Sequence, residues 1–293
     1  LQLLLRWWIK PMRTRFFWIH RAAPLPGRTG KRVCLLCFMG LLMVWGGLVA
    51  CSTTARSDKA DLATVSDETE NRKRARIRLE LAVNYFNEGK TAIALDELKQ
   101  SIAADSGLYE AFSLRALVYM RLNEADLAED SFRRALSLSP NAATVRHNYG
   151  FMLCNQGRTN EALAQFSSAL AQPTYPDQSK TWMVQGLCQA NAGRARDAEA
   201  SLLRAYQIDP DNPVVSYNLA LQFFKQSQYS EAQRYLQRLN NSPLANAESL
   251  WLGVKLARAT GNSQGVEAAS AALRSRFADT RERLMLDRGA FDE

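Results

Sequence analysis

Between about residue 75 and residue 277 the chain repeats itself every 34 residues, and no other feature constrains its fold as much. Gly89, Asn123 and Gly157 keep that step, and so do Ala94, Ala128 and Ala162. Leu98, Phe132 and Phe166 follow it too, as do Ser101, Ala135 and Ala169. A second block carries it on with Ala198 and Ala232, Leu202 and Leu236, and Ala205 and Leu239. The blocks are out of phase by two residues, a slip that the segment Pro173-Thr174-Tyr175-Pro176 absorbs. A small residue followed four places later by a large one puts both on one face of a helix. A single unit of this length cannot bury such a face alone, so the units must stack.

Small residues where two antiparallel helices cross, at this period, are the tetratricopeptide signature. Counting units gives 75–108, 109–142, 143–176, 179–212, 213–245 and a degenerate sixth at 246–278, with Gly265 at its crossing. Pro140 and Pro210 close the second helices of their units, because proline cannot continue a helix. Residues 279–293 are expected to form a short capping helix and a frayed tail. The fold expected is an all-α tetratricopeptide-repeat solenoid of about six helix-turn-helix repeats.

Ahead of the repeats the chain changes character at Leu48-Val49-Ala50-Cys51. The first 50 residues hold eight basic side chains and no acidic one, which leaves 29 basic against 29 acidic residues in the rest. The high isoelectric point therefore belongs to this leader and is no argument for nucleic-acid binding. The arm Arg28-Thr29-Gly30-Lys31-Arg32, the uncharged run 33–50 and the small residues before Cys51 form a bacterial lipoprotein signal. Cleavage would leave Cys51 as the first residue, carrying a covalent lipid. The alternatives are a transmembrane anchor, since the run of 18 residues is at the low edge of a span, or an ordinary secretory signal. Met12 is the expected initiator, with residues 1–11 outside the translated protein. Residues 51–70 read as a polar tether, and Arg72-Lys73-Arg74-Ala75-Arg76 as the solvated face of the first helix.

The sequence offers little chemistry. Cys34 and Cys37 lie in the segment expected to be removed. Cys154 and Cys188 remain, and in an oxidising compartment either a disulfide or two free thiols is open to them. His147 is the lone histidine after Cys51, and no second ligand stands at a metal-binding spacing. No phosphate loop or nucleophile elbow is present. Glu161 and Glu199 precede crossing alanines, where charged residues face solvent. The reading is a binding protein, not an enzyme, with no metal, no cofactor beyond the lipid on Cys51, and no nucleic-acid or small-molecule partner.

In the repeat frame, positions 5, 9 and 12 of each first helix point into the concave face. They are Leu79, Val83 and Phe86, then Ser113, Leu117 and Met120, then His147, Phe151 and Cys154, with Met183, Leu187, Tyr217, Leu221 and Phe224 beyond. About half are expected to be covered by neighbouring helices. The groove is apolar and suits an amphipathic helix, with Val83, Phe86, Leu117, Met120 and Phe151 as its expected partner-binding wall. His147 is expected there as a binding contact. Leu79 and Val83 stand where a carboxylate clamp would need polar residues, which disfavours a chaperone-tail receptor.

Several segments are not demanded by the repeat. His147-Asn148-Tyr149-Gly150-Phe151-Met152-Leu153-Cys154, Pro173-Thr174-Tyr175-Pro176, Gly186-Leu187-Cys188 and Leu252-Gly253-Val254-Lys255-Leu256-Ala257 resemble the type IV pilus biogenesis and stability lipoproteins of the PilW/PilF group. That resemblance implies six repeats and a bond between Cys154 and Cys188. It also implies a pilotin: an outer-membrane lipoprotein, facing the periplasm, that binds secretin subunits and promotes their localisation and multimerisation. Ser52 after the lipidated cysteine lacks the aspartate of inner-membrane retention, which agrees. The degenerate sixth repeat and the basic run before the first depart from the group. The competing reading is a periplasmic scaffold for cell-wall enzymes or outer-membrane protein assembly.

Overall fold

The structure is a computed structural model that describes residues 68–291. The lipoprotein signal, Cys51 and the tether up to residue 67 lie outside the described residues. So do Met12, Cys34 and Cys37.

Among the described residues there are six helical hairpins and one closing helix. The hairpins are α1 (Glu70–Asn87) with α2 (Thr91–Ala104), α3 (Tyr109–Arg121) with α4 (Ala125–Leu138), and α5 (Ala143–Asn155) with α6 (Thr159–Leu170). They continue with α7 (Gln178–Asn191) and α8 (Ala195–Ile208), α9 (Pro213–Lys225) and α10 (Tyr229–Asn240), and α11 (Ala247–Ala259) and α12 (Ser263–Arg276). Helix α13 (Arg281–Arg288) ends the array. The sixth unit forms two full helices despite its degenerate sequence. Helix α1 begins at Glu70, before the period does, because Thr69 caps it by accepting from the Arg72 amide.

Each hairpin turns on one residue in the left-handed region. Gly89, Asn123, Gly157, Gly193, Ser227 and Gly261 all have φ between 60° and 79°. Asparagine tolerates that region, whereas Ser227 pays a penalty of about 1 kcal/mol for it. The interval from Gly157 to Gly193 carries the two-residue slip, and the structure spends it in the loop after α6. Tyr175 of that loop is buried.

The crossings explain the sequence pattern. Ala94, Ala128, Ala162, Ala198 and Ala232 are fully buried, and the large residue four places on lies beside each in the core. On the facing first helices, Ala82, Ala116, Gly150, Gly186 and Ala220 occupy a matching buried row. A Cβ on Gly150 would stand 2.7 Å from the Phe166 ring, and one on Gly186 2.8 Å from Leu202 Cγ. Side chains there would push the hairpin apart.

First helices touch their successors along the array (α1 with α3, α3 with α5, α5 with α7, α9 with α11), while second helices make no comparable contact. Helices on the inside of a curve approach one another most closely, so the first helices form the concave wall.

Some surface expectations change. Arg72 pairs with Asp105 at 2.7 Å, so the basic run is partly engaged with the turn after α2, and Arg78 beyond it pairs with Glu97 of α2 at 2.9 Å. Glu199 is half-buried and accepts from Gln226, not open to solvent. The expected frayed tail is ordered as far as Phe291, which stacks on Trp251 with ring centres 5.3 Å apart beneath the Arg258 guanidinium. Met285 and Leu286 of α13 close the apolar end of the last hairpin.

Candidate functional site: the concave wall

The inner wall is a strip of half-buried apolar side chains. Leu117, Met120, Cys154 and Met183 pack at the edge of one core cluster, and Met183, Tyr217, Leu221 and Phe224 at the edge of the next. Met183 belongs to both, so the strip runs unbroken from the second repeat to the fifth. Val83 of α1, at the ninth position of the first repeat as Leu117 is of the second, is 39% exposed. Leucine and methionine in such a strip fit an aliphatic partner surface, and methionine adapts its shape to it.

Two members of the expected wall are not open. Phe86 is only 7% exposed, because Arg121 reaches over it from the next repeat. Its guanidinium carbon sits 3.7 Å from the Phe86 ring centre, and Nη1 donates to the Phe86 carbonyl. Phe151, 4% exposed, is a core residue of the second and third repeats. Both support the wall from behind. The surface that a partner can touch is Val83, Leu117, Met120 and the strip beyond.

His147 also departs from its expected role. It is 2% exposed, held between α5, α7 and the loop after α6. Nδ1 lies 2.8 Å from Thr181 Oγ1, and Tyr175 Oη lies 2.9 Å from the same oxygen. The Thr181 hydroxyl donates to the Asp177 carbonyl, so Nδ1 carries the proton and Oγ1 accepts it. Nε2 is buried with no partner. Burial, and secondarily the Lys180 charge, push the imidazole pKa down to about 3, so the ring is neutral. A buried neutral histidine of this kind seals the seam between repeats and makes no contact with a docked partner.

The seam has a covalent tie nearby. Cys154 of α5 and Cys188 of α7 are bonded in the structure, their α-carbons 5.8 Å apart. A cross-link closing a loop of 34 residues is expected to stabilise the fold by about 3–4 kcal/mol on the chain-entropy model. Thiol titration of the denatured, unreduced protein checks it. Neither cysteine of this pair should react until a reductant is added, whereas two reactive thiols assigned to them would show that the tie does not form.

Outside the wall, an ion-pair network joins the second and third repeats. Glu129 accepts from Tyr149 at 2.8 Å and pairs with Arg158 at 2.6 Å, and Arg158 also pairs with Glu161. The Arg158 guanidinium, helped by the Tyr149 hydroxyl, holds the Glu129 carboxyl below its usual range. An open recess of about 360 Å³ lies between the two helices of the first hairpin, lined by Arg74 and Arg78 of α1 and Gln100 of α2. Among the described residues, no group of three or more His, Cys, Asp or Glu could hold a metal ion, and no helix is long and apolar enough to cross a membrane.

Comparison with known proteins agrees with this architecture. Tetratricopeptide repeat profiles match residues 79–143, 153–213 and 190–251. The chain is 27% identical over 212 residues to the type IV pilus assembly protein PilF of Pseudomonas aeruginosa, covering 72% of this chain and 82% of that protein. Among solved structures it is similar to PilW, described as a widely conserved type IV pilus biogenesis factor. The two share 31% identity and a TM-score of 0.66, over 72% of this chain and 97% of that one. The structure of P. aeruginosa PilF superposes with a TM-score of 0.67 at 23% identity, over 75% of this chain and all of that one.

Proposed function

The chain belongs to the PilF/PilW family of tetratricopeptide-repeat proteins of type IV pilus biogenesis, and on that premise we propose that it is a lipid-anchored adaptor for the pilus secretin. Its role in pilus biogenesis runs through protein–protein contact. The concave wall binds a segment of the secretin subunit, and the lipid on Cys51 delivers the pair to the outer membrane, where the subunits multimerise. One observation carries this reading: the half-buried apolar strip from Leu117 through Met183 to Phe224, with exposed Val83 ahead of it, whose chemistry suits a helix-in-groove site. The lipobox Leu48-Val49-Ala50-Cys51 supports the address.

Anchor and adaptor are separable by one substitution. Cys51→Ala is expected to leave the repeats folded but to free the protein from the outer membrane, since acylation supplies the anchor. Secretin multimers should then fall in that membrane to the level seen without the protein. If Cys51→Ala still sediments with outer membrane and incorporates labelled palmitate, the anchor is elsewhere. If secretin multimers form and localise equally with and without the whole protein, the adaptor reading is wrong. Recovery of peptidoglycan hydrolases or barrel-assembly factors in place of secretin would transfer the function to the competing scaffold reading.

A further inference from the structure

One charged side chain is built into the apolar wall. Lys180 lies in the first turn of α7, with Met183, Val184 and Leu187 following at three, four and seven residues on the same helical face. It is half-buried, and its charge bears on His147 of the neighbouring first helix. No hydrogen bond joins the two: Nε2 is buried without a partner, and Nδ1 meets Thr181. No carboxylate among the described residues comes within ion-pair distance of Lys180. Asp177 is the one acid whose field favours its charge, and burial outweighs it, holding the ammonium below the usual lysine range. Glu248 and Glu282 bear on Tyr217 of α9.

A lysine half-buried in an apolar wall without a counter-ion carries an uncompensated charge in the free protein. A ligand carboxylate would relieve it. Lys180 stands on the fourth of six repeats, with apolar wall on both sides: Val83, Leu117 and Met120 before it, Leu221 and Phe224 after. A segment ending at Lys180 would leave half of that wall uncovered. The carboxylate therefore belongs to a side chain inside the docking segment and not to a chain terminus.

We propose that Lys180 is the anion-recognition point of the concave wall, pairing with an Asp or Glu in the middle of an otherwise aliphatic helix. This rests on the groove reading above and adds the partner's chemistry. The pair would fix the register of the helix along the wall, because charges placed against a low-dielectric surface discriminate position more than they add affinity.

The test uses labelled 18-residue model helices with a leucine face, bound to the full chain and followed by fluorescence anisotropy. One carries a central Glu, a second a central Gln, and each is made with a free or amidated C-terminus. The Glu helix is expected to bind about tenfold more tightly than the Gln helix at low salt, with no effect of amidation. Lys180→Met should abolish that preference, so that the Glu and Gln helices bind alike, with a melting temperature no lower than the wild type's, and Lys180→Arg should keep it. Equal binding of Glu and Gln helices, or a preference that survives Lys180→Met, overturns the proposal while leaving the groove reading standing. Loss of binding on amidation overturns it in favour of a terminal carboxylate. Failure of every helix to bind removes the groove reading and this inference together.

Discussion

Lowering the pH from 7 to 4.5 is expected to cost the solenoid about 2–3 kcal/mol through His147 alone. In the folded protein the imidazole pKa is pushed down to about 3 from its ordinary value of 6.5. Above pH 6.5 the ring is neutral in both states and contributes no pH dependence. As pH falls through 6.5, the unfolded chain takes up a proton that the folded one refuses, so stability falls, and it goes on falling until about pH 3. The protonated carboxylates act lower. Asp105 and Glu129 are held below the usual carboxylate range by Arg72 and Arg158 respectively, and their contribution is lost only below pH 4.5. The window between 6.5 and 4.5 thus reports His147. Urea denaturation across it should show a falling midpoint for the wild-type protein. His147→Asn keeps a donor toward Thr181 but cannot titrate, and its profile should be flat there. A slope that persists in His147→Asn would show that the seam is not where the proton is refused.

The second large effect concerns two phenylalanines that look different in the repeat frame and are alike in the structure. Phe132 is fully buried at the crossing of α3 and α4, and Phe132→Ala is expected to cost about 3–5 kcal/mol. Phe86 stands at a groove position, where truncation would be expected to leave stability alone. Yet it is 7% exposed under Arg121, so Phe86→Ala should cost about 3 kcal/mol and leave Arg121 with one contact fewer. Val83→Ala, one turn away and exposed, should stay within about 0.5 kcal/mol. Chemical denaturation of the three variants decides it. A Phe86→Ala protein as stable as Val83→Ala would return Phe86 to the open groove.

These residues also show what a repeat period can and cannot reveal. The crossings were legible because one small and one large residue must recur wherever two helices meet, and the pattern of Ala128 with Phe132 recurs in five of the six units. The turns were legible in part: Gly89, Asn123 and Gly157 announced themselves, while Ser227 did not, since serine carries no preference for positive φ. What the period hides is cover supplied by other units. Phe86 is closed by a side chain 35 residues further on, and His147 by Thr181 together with a tyrosine from the irregular loop. Neither partner repeats. Lys180 escaped notice for a related reason. It stands outside the fifth, ninth and twelfth positions used to trace the wall, and its significance comes from missing counter-charges, which no periodic pattern displays. The tail was misjudged because Phe291 is ordered by Trp251 and Arg258 of the last hairpin, contacts that depend on α13 folding back.

The resemblance carried by the Asn148-Tyr149-Gly150 and Pro173-Thr174-Tyr175-Pro176 segments acquires physical content from the same geometry. Tyr149 ties the ion-pair network of Glu129 and Arg158 to the core, and Gly150 lets α5 approach the Phe166 ring. Tyr175 brings its hydroxyl to the Thr181 oxygen that also meets His147. Together with Cys154 and Cys188 they stiffen the third and fourth repeats, on which Met183 and Lys180 stand. A rigid middle suits a wall that must hold one register of a bound helix.

If secretin subunits dock on the open part of the concave wall, as proposed, the immobilised full chain should capture purified subunits. Val83→Glu with Met120→Glu places two carboxylates on that wall without touching the crossings, and its melting temperature should stay near that of the wild type. Capture by this variant is expected to be about thirty-fold weaker, equivalent to about 2 kcal/mol. Undiminished capture by a variant that melts normally would contradict it.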